Sequence, residues 1–190
     1  MEMDKKEDLR VIKTKKSLYD GLLVMMKDKP FEDIKVADIC RVALTNRSTF
    51  YDHFNDKYEL LYALMKDIEN GLIEKLKSNT NISSKKEFYM QMIELLFEHI
   101  SENVSFYSSI IKNNNNSVAN DMIRNTLLMD VRNHIESENN YNSEIPAEVL
   151  TMFYVSAVIN VCSMYLREPN KYTKDDILGY LDKLLPDNLY

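Results

Sequence analysis

The chain has 190 residues and a formal net charge of −6, with three glycines, four prolines and two cysteines. Loops and sheets use glycine and proline freely, so their scarcity predicts a mostly helical protein, and the length is enough to bury a real core. From two distant cysteines and three histidines we expect reduced core thiols, with neither a disulfide nor a zinc site. The charged start of the chain predicts no signal segment.

Four helices are predicted in the first part of the chain. Their expected bounds are Leu9–Lys27, Val36–Ala43, Arg47–Phe54 and Asp56 to about Leu76. An apolar stripe follows the first helix at Leu18, Leu22, Leu23 and Met26. Pro30 ends that helix. Asn46 suits the N-cap of the third helix, and Asp56 with Glu59 has capping-box spacing for the fourth.

Five more helices are predicted after a polar break at residues 78–81. Their expected bounds are Ser84–Glu102, Phe106–Lys112, Val118–Glu136, Pro146–Leu166 and Asp175–Leu185. Ser84 and Glu87 have capping-box spacing, and Thr173 with Asp176 opens the last helix. No segment alternates as strands do. The predicted fold is therefore all-α with about nine helices, a three-helix head in residues 1–60 and a helical bundle in residues 61–190.

The most informative stretch of the sequence is TNRSTFYDHFNDKYEL, residues 45–60. Two short helices joined by a brief turn, the second with a polar start, are typical of a helix-turn-helix that reads the DNA major groove. Residues 9–58 carry ten basic and seven acidic side chains, so this part is basic although the whole chain is acidic. That distribution is compatible with DNA binding at one end, but charge alone does not establish it.

Residues 10–65 resemble the DNA-binding domain of the TetR/AcrR family of bacterial transcription regulators. The resemblance is most specific in TFYDHF, residues 49–54, followed by Lys57 and the Leu60-Leu61 pair. The later region, through Phe97, Phe106-Tyr107 and the late apolar helix, is similar to the subgroup near the dihydroxyacetone-kinase operon activator. The resemblance implies an all-helical regulator whose head binds DNA.

The resemblance also implies DNA contacts for seven residues: Lys35, Arg47, Ser48, Thr49, Tyr51, His53 and Lys57. Arg47 and Ser48 would approach base edges, where arginine suits guanine O6 and N7. Thr49 would contact a base methyl group or a phosphate. The other four would hold phosphates, although outside this motif the same side chains would more simply be surface charges or packing residues. Phe50 and Phe54 would be core residues.

The turn between the two short helices departs from the family pattern. The family has glycine and then an apolar residue, whereas this chain has Leu44 and Thr45. Glycine suits the site because φ is often positive there, and a positive φ costs a leucine about 1 kcal/mol. The geometry of this turn therefore stays open from the sequence.

The late apolar helix contains 18 residues without a charge, from Val149 to Leu166, which is the lower limit for a membrane span. Its interspersed polar residues favour instead a helix buried on most sides, as at an oligomer interface. One short recognition helix reads too few base pairs, so two protomers should act on a palindromic site. We expect the last two helices to form the dimer interface through Met152, Phe153, Ser156, Ala157 and Ile159.

Methionine and phenylalanine are frequent in the predicted bundle. Met90, Met92, Met122, Met129, Met152, Phe97 and Phe153 would line a ligand pocket or, as is commoner at helical spacing, form plain core. A small-molecule effector of unknown identity, if the protein has one, would bind there. It would act by favouring one spacing of the two heads over another.

Enzymatic chemistry has little support in the sequence. There are no paired Glu-x-x-His motifs, no glycine-rich phosphate loop and no nucleophile elbow. We therefore expect a non-enzymatic, cytoplasmic homodimer without a cofactor, which binds double-stranded DNA and represses nearby genes. Two alternatives remain: an activator or co-regulator of the same fold acting through a protein partner, and a helical ligand-binding or enzymatic protein that does not use DNA.

Overall fold

The computed structural model describes residues 8–78, 82–112, 118–137, 144–168 and 170–186. Within these ranges the chain is helical, without strands, which confirms the predicted all-α class. The α-helices are α1 (Leu9–Asp28), α2 (Val36–Val42), α3 (Arg47–Tyr51), α4 (Lys57–Lys77), α5 (Lys85–Glu102), α6 (Val104–Lys112), α7 (Val118–Ser137), α8 (Ala147–Arg167) and α9 (Lys174–Leu184). A single 3-10 turn, Phe31–Asp33, connects α1 to α2.

The chain forms two compact units, Met1–Lys66 and Asp67–Tyr190. We call them the head and the body. The division falls inside α4, ten residues into a helix that begins at Lys57. The predicted division after residue 60 lies in the same helix.

The core of the head forms around α1. Leu18, Leu22, Met25 and Met26 are buried along one side of this helix, with Met25 in place of the predicted Leu23. Gly21 lies on the same side, and a Cβ there would be 3.1 Å from both the Ala43 Cβ and the Ile39 carbonyl oxygen. The missing side chain therefore lets α1 and α2 approach closely. Each fully buried apolar side chain contributes about 1.5–3 kcal/mol to such a core.

Polar side chains fix the starts of α4 and α9. The Asp56 carboxylate accepts the Glu59 amide at 2.9 Å, while the Glu59 carboxylate accepts the Asn55 amide at 2.7 Å. One half of the predicted capping box is therefore present, but the Glu59 carboxylate accepts from the Asn55 amide instead of the Asp56 amide. At α9 the box between Thr173 and Asp176 is complete. These contacts satisfy amides that have no partner inside their own helix.

The core of the body combines α5, α8 and α9. Its buried residues are Ile93, Phe97, Ile100, Cys162, Ile177, Leu181 and Leu185. The Phe97 and Tyr165 rings meet edge to face at 5.6 Å. Both cysteines are buried and free, as predicted, and burial raises the pKa of the Cys162 thiol to about 12. Met129, Met152 and Phe153 are more than half exposed, so none of them is a core residue of the single chain.

Helix α8 is long and apolar enough, by length and composition, to cross a membrane, with a mean hydropathy of 1.7 over its best window. Core helices of soluble proteins pass the same test. Its buried residues, Ala147, Leu150, Thr151 and Cys162, lie on the side that packs into the body. The opposite side is exposed in the single chain, so burial on most sides stays a prediction that needs a partner chain.

Candidate nucleic-acid interface

A tight turn joins α2 to α3, and its backbone answers the question that the sequence left open. Leu44 has φ = 52°, in the left-handed region, and its side chain is 94% exposed. The Thr45 amide then donates to the Cys40 carbonyl at 2.9 Å and returns the chain toward α2. Leu44 thus adopts the conformation for which the family uses glycine, and it carries the associated strain.

Helix α3 is shorter than predicted, because it ends at Tyr51 rather than at Phe54. The His53 amide donates to the Phe50 carbonyl at 3.0 Å, which is the tighter i to i−3 pattern that often closes a helix. Asn46 occupies the N-cap position, but its side chain makes no capping bond. Phe50 is fully buried and Phe54 nearly so, with ring centroids 5.8 Å apart, which confirms both as core residues.

Five of the seven expected DNA contacts lie on α3 or directly after it, and a sixth, Lys35, is the N-cap of α2. Lys35, Arg47, Ser48 and Tyr51 are exposed, while Thr49 and His53 are partly buried. Within the described chain, no ion pair engages Lys35 or Arg47. The Tyr51 ring packs edge to face on Phe50 at 5.3 Å, although the residue stays 55% exposed. The start of α3 is therefore open to a partner, while Phe50 fixes its orientation.

Arg47 also influences the interior of the head. Burial raises the pKa of the Cys40 thiol, and the positive charge of Arg47 opposes that increase. The guanidinium thus lies close enough to α2 to be felt there electrostatically, yet the residue is exposed.

Lys57 does not fit the expected phosphate contact. Its ammonium donates to three backbone carbonyls: Phe31 at 2.9 Å, Glu32 at 2.6 Å and Ile34 at 3.0 Å. An ammonium has three donors, so all of them are used inside the head. Burial lowers the pKa of Lys57, and the Glu32 and Asp33 carboxylates partly offset this. Sequence reasoning could not find these acceptors, because they are carbonyls 23–26 residues away.

The expected dimer residues lie on or next to one exposed side of α8. Met152, Phe153 and Ala157 are exposed, and Ser156 and Ile159 are partly buried. Val149 is 54% exposed and lies four residues before Phe153 on the same side. In α9, the second helix of the predicted interface, Tyr180 and Leu184 are also exposed.

The body contains polar groups that lack an internal partner. The Tyr107 hydroxyl and the Thr151 Oγ1 are buried without a hydrogen bond to any described residue, and burial raises the pKa of Tyr107. An open cavity of about 360 Å³ lies at the start of α5, where the Phe88 and His134 rings stack at 5.3 Å. Among the described residues no cluster of side chains is arranged to hold a metal ion.

Comparison with known proteins identifies a family that this chain matches. Residues 89–187 match a TetR-type family described as the C-terminal region of a transcriptional regulator. The uncharacterised HTH-type transcriptional regulator YxbF of Bacillus subtilis is 33% identical over 94 residues, 49% of this chain and 24% of that protein. The HTH-type dhaKLM operon transcriptional activator DhaS of Lactococcus lactis is 28% identical over 97 residues, 51% of this chain and 48% of that protein. The chain thus spans about a quarter and a half of these relatives' lengths.

The fold has solved counterparts. The crystal structure of a TetR transcriptional regulator from Streptococcus agalactiae superposes with a TM-score of 0.63 at 24% identity. The alignment covers 94% of this chain and 96% of that one. At this identity the likeness demonstrates the fold, including both the helical head and the helical body.

Proposed function

Since the chain belongs to the TetR family of transcriptional regulators, we propose that it binds specific double-stranded DNA through the start of α3. The observation that carries this proposal is the pairing of exposed Arg47 and Ser48 with the buried anchor Phe50 on a five-residue helix. A short anchored helix holds its first side chains still, and recognition helices contact base edges with those residues. Lys35, Thr49, Tyr51 and His53 would flank the groove and contact phosphates or a base methyl group.

Two protomers act together in this proposal. One five-residue helix reaches only a few base pairs, which is too few for useful affinity and selectivity. The exposed apolar side of α8, with Val149, Met152 and Phe153, supplies a surface that a second copy would cover. A twofold dimer places two α3 helices on half-sites about one helical turn apart, so the operator would be palindromic. The protein would act in the cytoplasm, where bacterial DNA is accessible.

Selection of DNA from a random pool tests the proposal without knowledge of the operator. The wild-type chain should enrich a palindrome of two short half-sites. Binding to that duplex should weaken steeply as salt rises, because phosphate contacts release counterions. Two results together would favour a helical protein that does not recognise DNA sequence. No sequence is enriched from the pool, and the DNA recovered from it binds no more tightly than mixed-sequence DNA.

The sign of regulation has two candidates. Repression of adjacent genes follows if the operator overlaps a promoter, because a bound dimer then excludes polymerase. Activation is favoured by the match to DhaS, a protein described as an operon activator. Deleting the gene and measuring transcripts beside the selected operator separates the two, since transcripts rise for a repressor and fall for an activator.

We also propose a small-molecule effector that binds in the body. A buried hydroxyl without a partner costs free energy, and a ligand that accepts its hydrogen bond would recover it. The Tyr107 hydroxyl is such a group. The test compares operator affinity with and without the small-molecule fraction of a cell extract, for the wild type and Tyr107→Phe. Affinity that the extract leaves unchanged in the wild type contradicts an effector.

A further inference from the structure

Lys57 connects two parts of the head that are far apart in sequence. Its ammonium reaches from the first residue of α4 to the Phe31, Glu32 and Ile34 carbonyls of the connection between α1 and α2. It also lies 4.8 Å from the centroid of the Phe31 ring, within cation–π range. One side chain thus makes three hydrogen bonds and a ring contact to a single short segment.

The next residue of α4 strengthens the same connection. The Tyr58 ring meets the Phe31 ring edge to face at 5.2 Å, and Phe31 is fully buried. The first turn of α4 is itself fixed, because the Asp56 carboxylate accepts the Tyr58 amide at 2.8 Å. The attachment therefore joins two ordered elements and is more than a flexible surface contact.

The segment that Lys57 holds leads directly into the DNA-reading helices. Ile34, the third acceptor, precedes Lys35, the N-cap of α2. The Lys35 carbonyl accepts the Asp38 and Ile39 amides at 2.9 and 3.2 Å and so starts α2. Helix α2 then continues through the strained turn at Leu44 into α3. The entry angle of α2 consequently depends on where Lys57 holds the residue before it.

We propose that Lys57 is a positioning residue for DNA recognition, which pins the start of α4 to the start of α2 and so fixes the direction of α3. This inference rests on the proposed DNA-binding function. The Lys57 ammonium then contacts backbone carbonyls of the head in place of a DNA phosphate, and the salt dependence of DNA binding comes from other side chains. It also implies that any displacement of the start of α4 moves α2 and α3 with it.

Lys57→Met tests this attachment, because methionine has an apolar side chain of similar length but cannot donate hydrogen bonds. Without DNA, hydrogen exchange should accelerate at the Ile34, Ile39 and Phe50 amides and stay unchanged in the middle of α1. Operator affinity should fall about ten- to hundredfold, because binding would then have to re-order the loosened start of α2 at a cost comparable to the lost charged hydrogen bonds. Affinity for mixed-sequence duplex and the salt slope should change little.

A phosphate contact predicts the opposite pattern. Two lost contacts per dimer would flatten the slope of log K against log salt by about 1.8 and weaken binding to every sequence. Lys35→Met is the matched control, since Lys35 is exposed next to the same segment, and it should show this pattern with normal exchange. The pin is wrong if Lys57→Met behaves like Lys35→Met, or if exchange accelerates while operator affinity stays at the wild-type value.

Lys57→Arg keeps the test decisive if the methionine variant does not fold. Arginine binds phosphates as well as lysine does, so a phosphate contact would survive the change. A guanidinium is longer and holds its five donors in one plane, so it does not reproduce the three diverging donors of the ammonium, and the attachment predicts faster exchange and weaker operator binding. Wild-type affinity in this variant overturns the proposal. A wild-type protein that binds no DNA refutes the proposed function instead, and the exchange measurements still report the attachment.

Discussion

Replacing Leu44 by glycine should stabilise the head. Leu44 has φ = 52°, and the left-handed region costs an L-residue about 1–2 kcal/mol. Its side chain is 94% exposed, so its removal loses almost no buried apolar area. Glycine also has more conformational entropy in the unfolded state, and this offsets about 0.5–1 kcal/mol of the gain. The net increase in the free energy of unfolding should be about 0.5–1 kcal/mol.

Urea unfolding followed by circular dichroism at the helical band measures this change, because the chain has no tryptophan for fluorescence. With a slope of about 2 kcal/mol per molar urea, the midpoint of unfolding should rise by about 0.3–0.5 M. The Leu44→Ala variant is the control, since alanine meets the same backbone penalty without the leucine side chain. It should unfold close to the wild type.

Two results would refute the strain argument. A lower midpoint for Leu44→Gly would mean that the leucine side chain makes a stabilising contact despite its exposure. An equal gain for alanine and glycine would assign the effect to the exposed side chain rather than to the positive φ.

The remaining predictions concern binding, assembly and helix stability. Tyr51→Phe should weaken binding to all sequences by about 0.5–1.5 kcal/mol per contact while leaving the urea midpoint unchanged, because the ring packing on Phe50 is kept. Phe153→Glu should give a folded monomer in sedimentation. The control Val104→Glu, at an exposed valine of α6, should remain dimeric. A wild-type chain that is monomeric at micromolar concentration refutes the interface. Gly71→Ala should raise the free energy of unfolding by about 1 kcal/mol, because nothing lies within 4 Å of the added Cβ; a decrease contradicts this.

Local patterns made most of the fold predictable from the sequence. Apolar spacing located α1, and short-range capping signals located the starts of α4 and α9, because these features depend on residues three or four positions apart. The sequence did not decide whether the turn is left-handed, because glycine is the usual signal for a positive φ and this chain has Leu44 there. The sequence indicated where strain could occur, and the backbone shows that it does.

Interactions across long sequence separations were not predictable. The family resemblance implied a phosphate contact for Lys57, and its true acceptors could not be foreseen because they are backbone carbonyls, which no side-chain pattern marks. At the end of α3 the Phe50 carbonyl accepts both the His53 and the Phe54 amides, a local backbone arrangement that residue types alone do not specify. Exposure of Phe153 and Met129 depends on which side of a helix finds a neighbour, and that is decided by packing.

The central claim is that the exposed start of α3 reads DNA bases. The most direct measurement replaces each base pair of one selected half-site in turn and compares the affinities of wild type and Arg47→Ala. The account predicts one position where the wild type loses about 1–3 kcal/mol and Arg47→Ala loses almost nothing further, because the contact is already gone. A profile for Arg47→Ala that keeps every wild-type preference, with binding uniformly weaker, would place Arg47 on the phosphates and contradict the account.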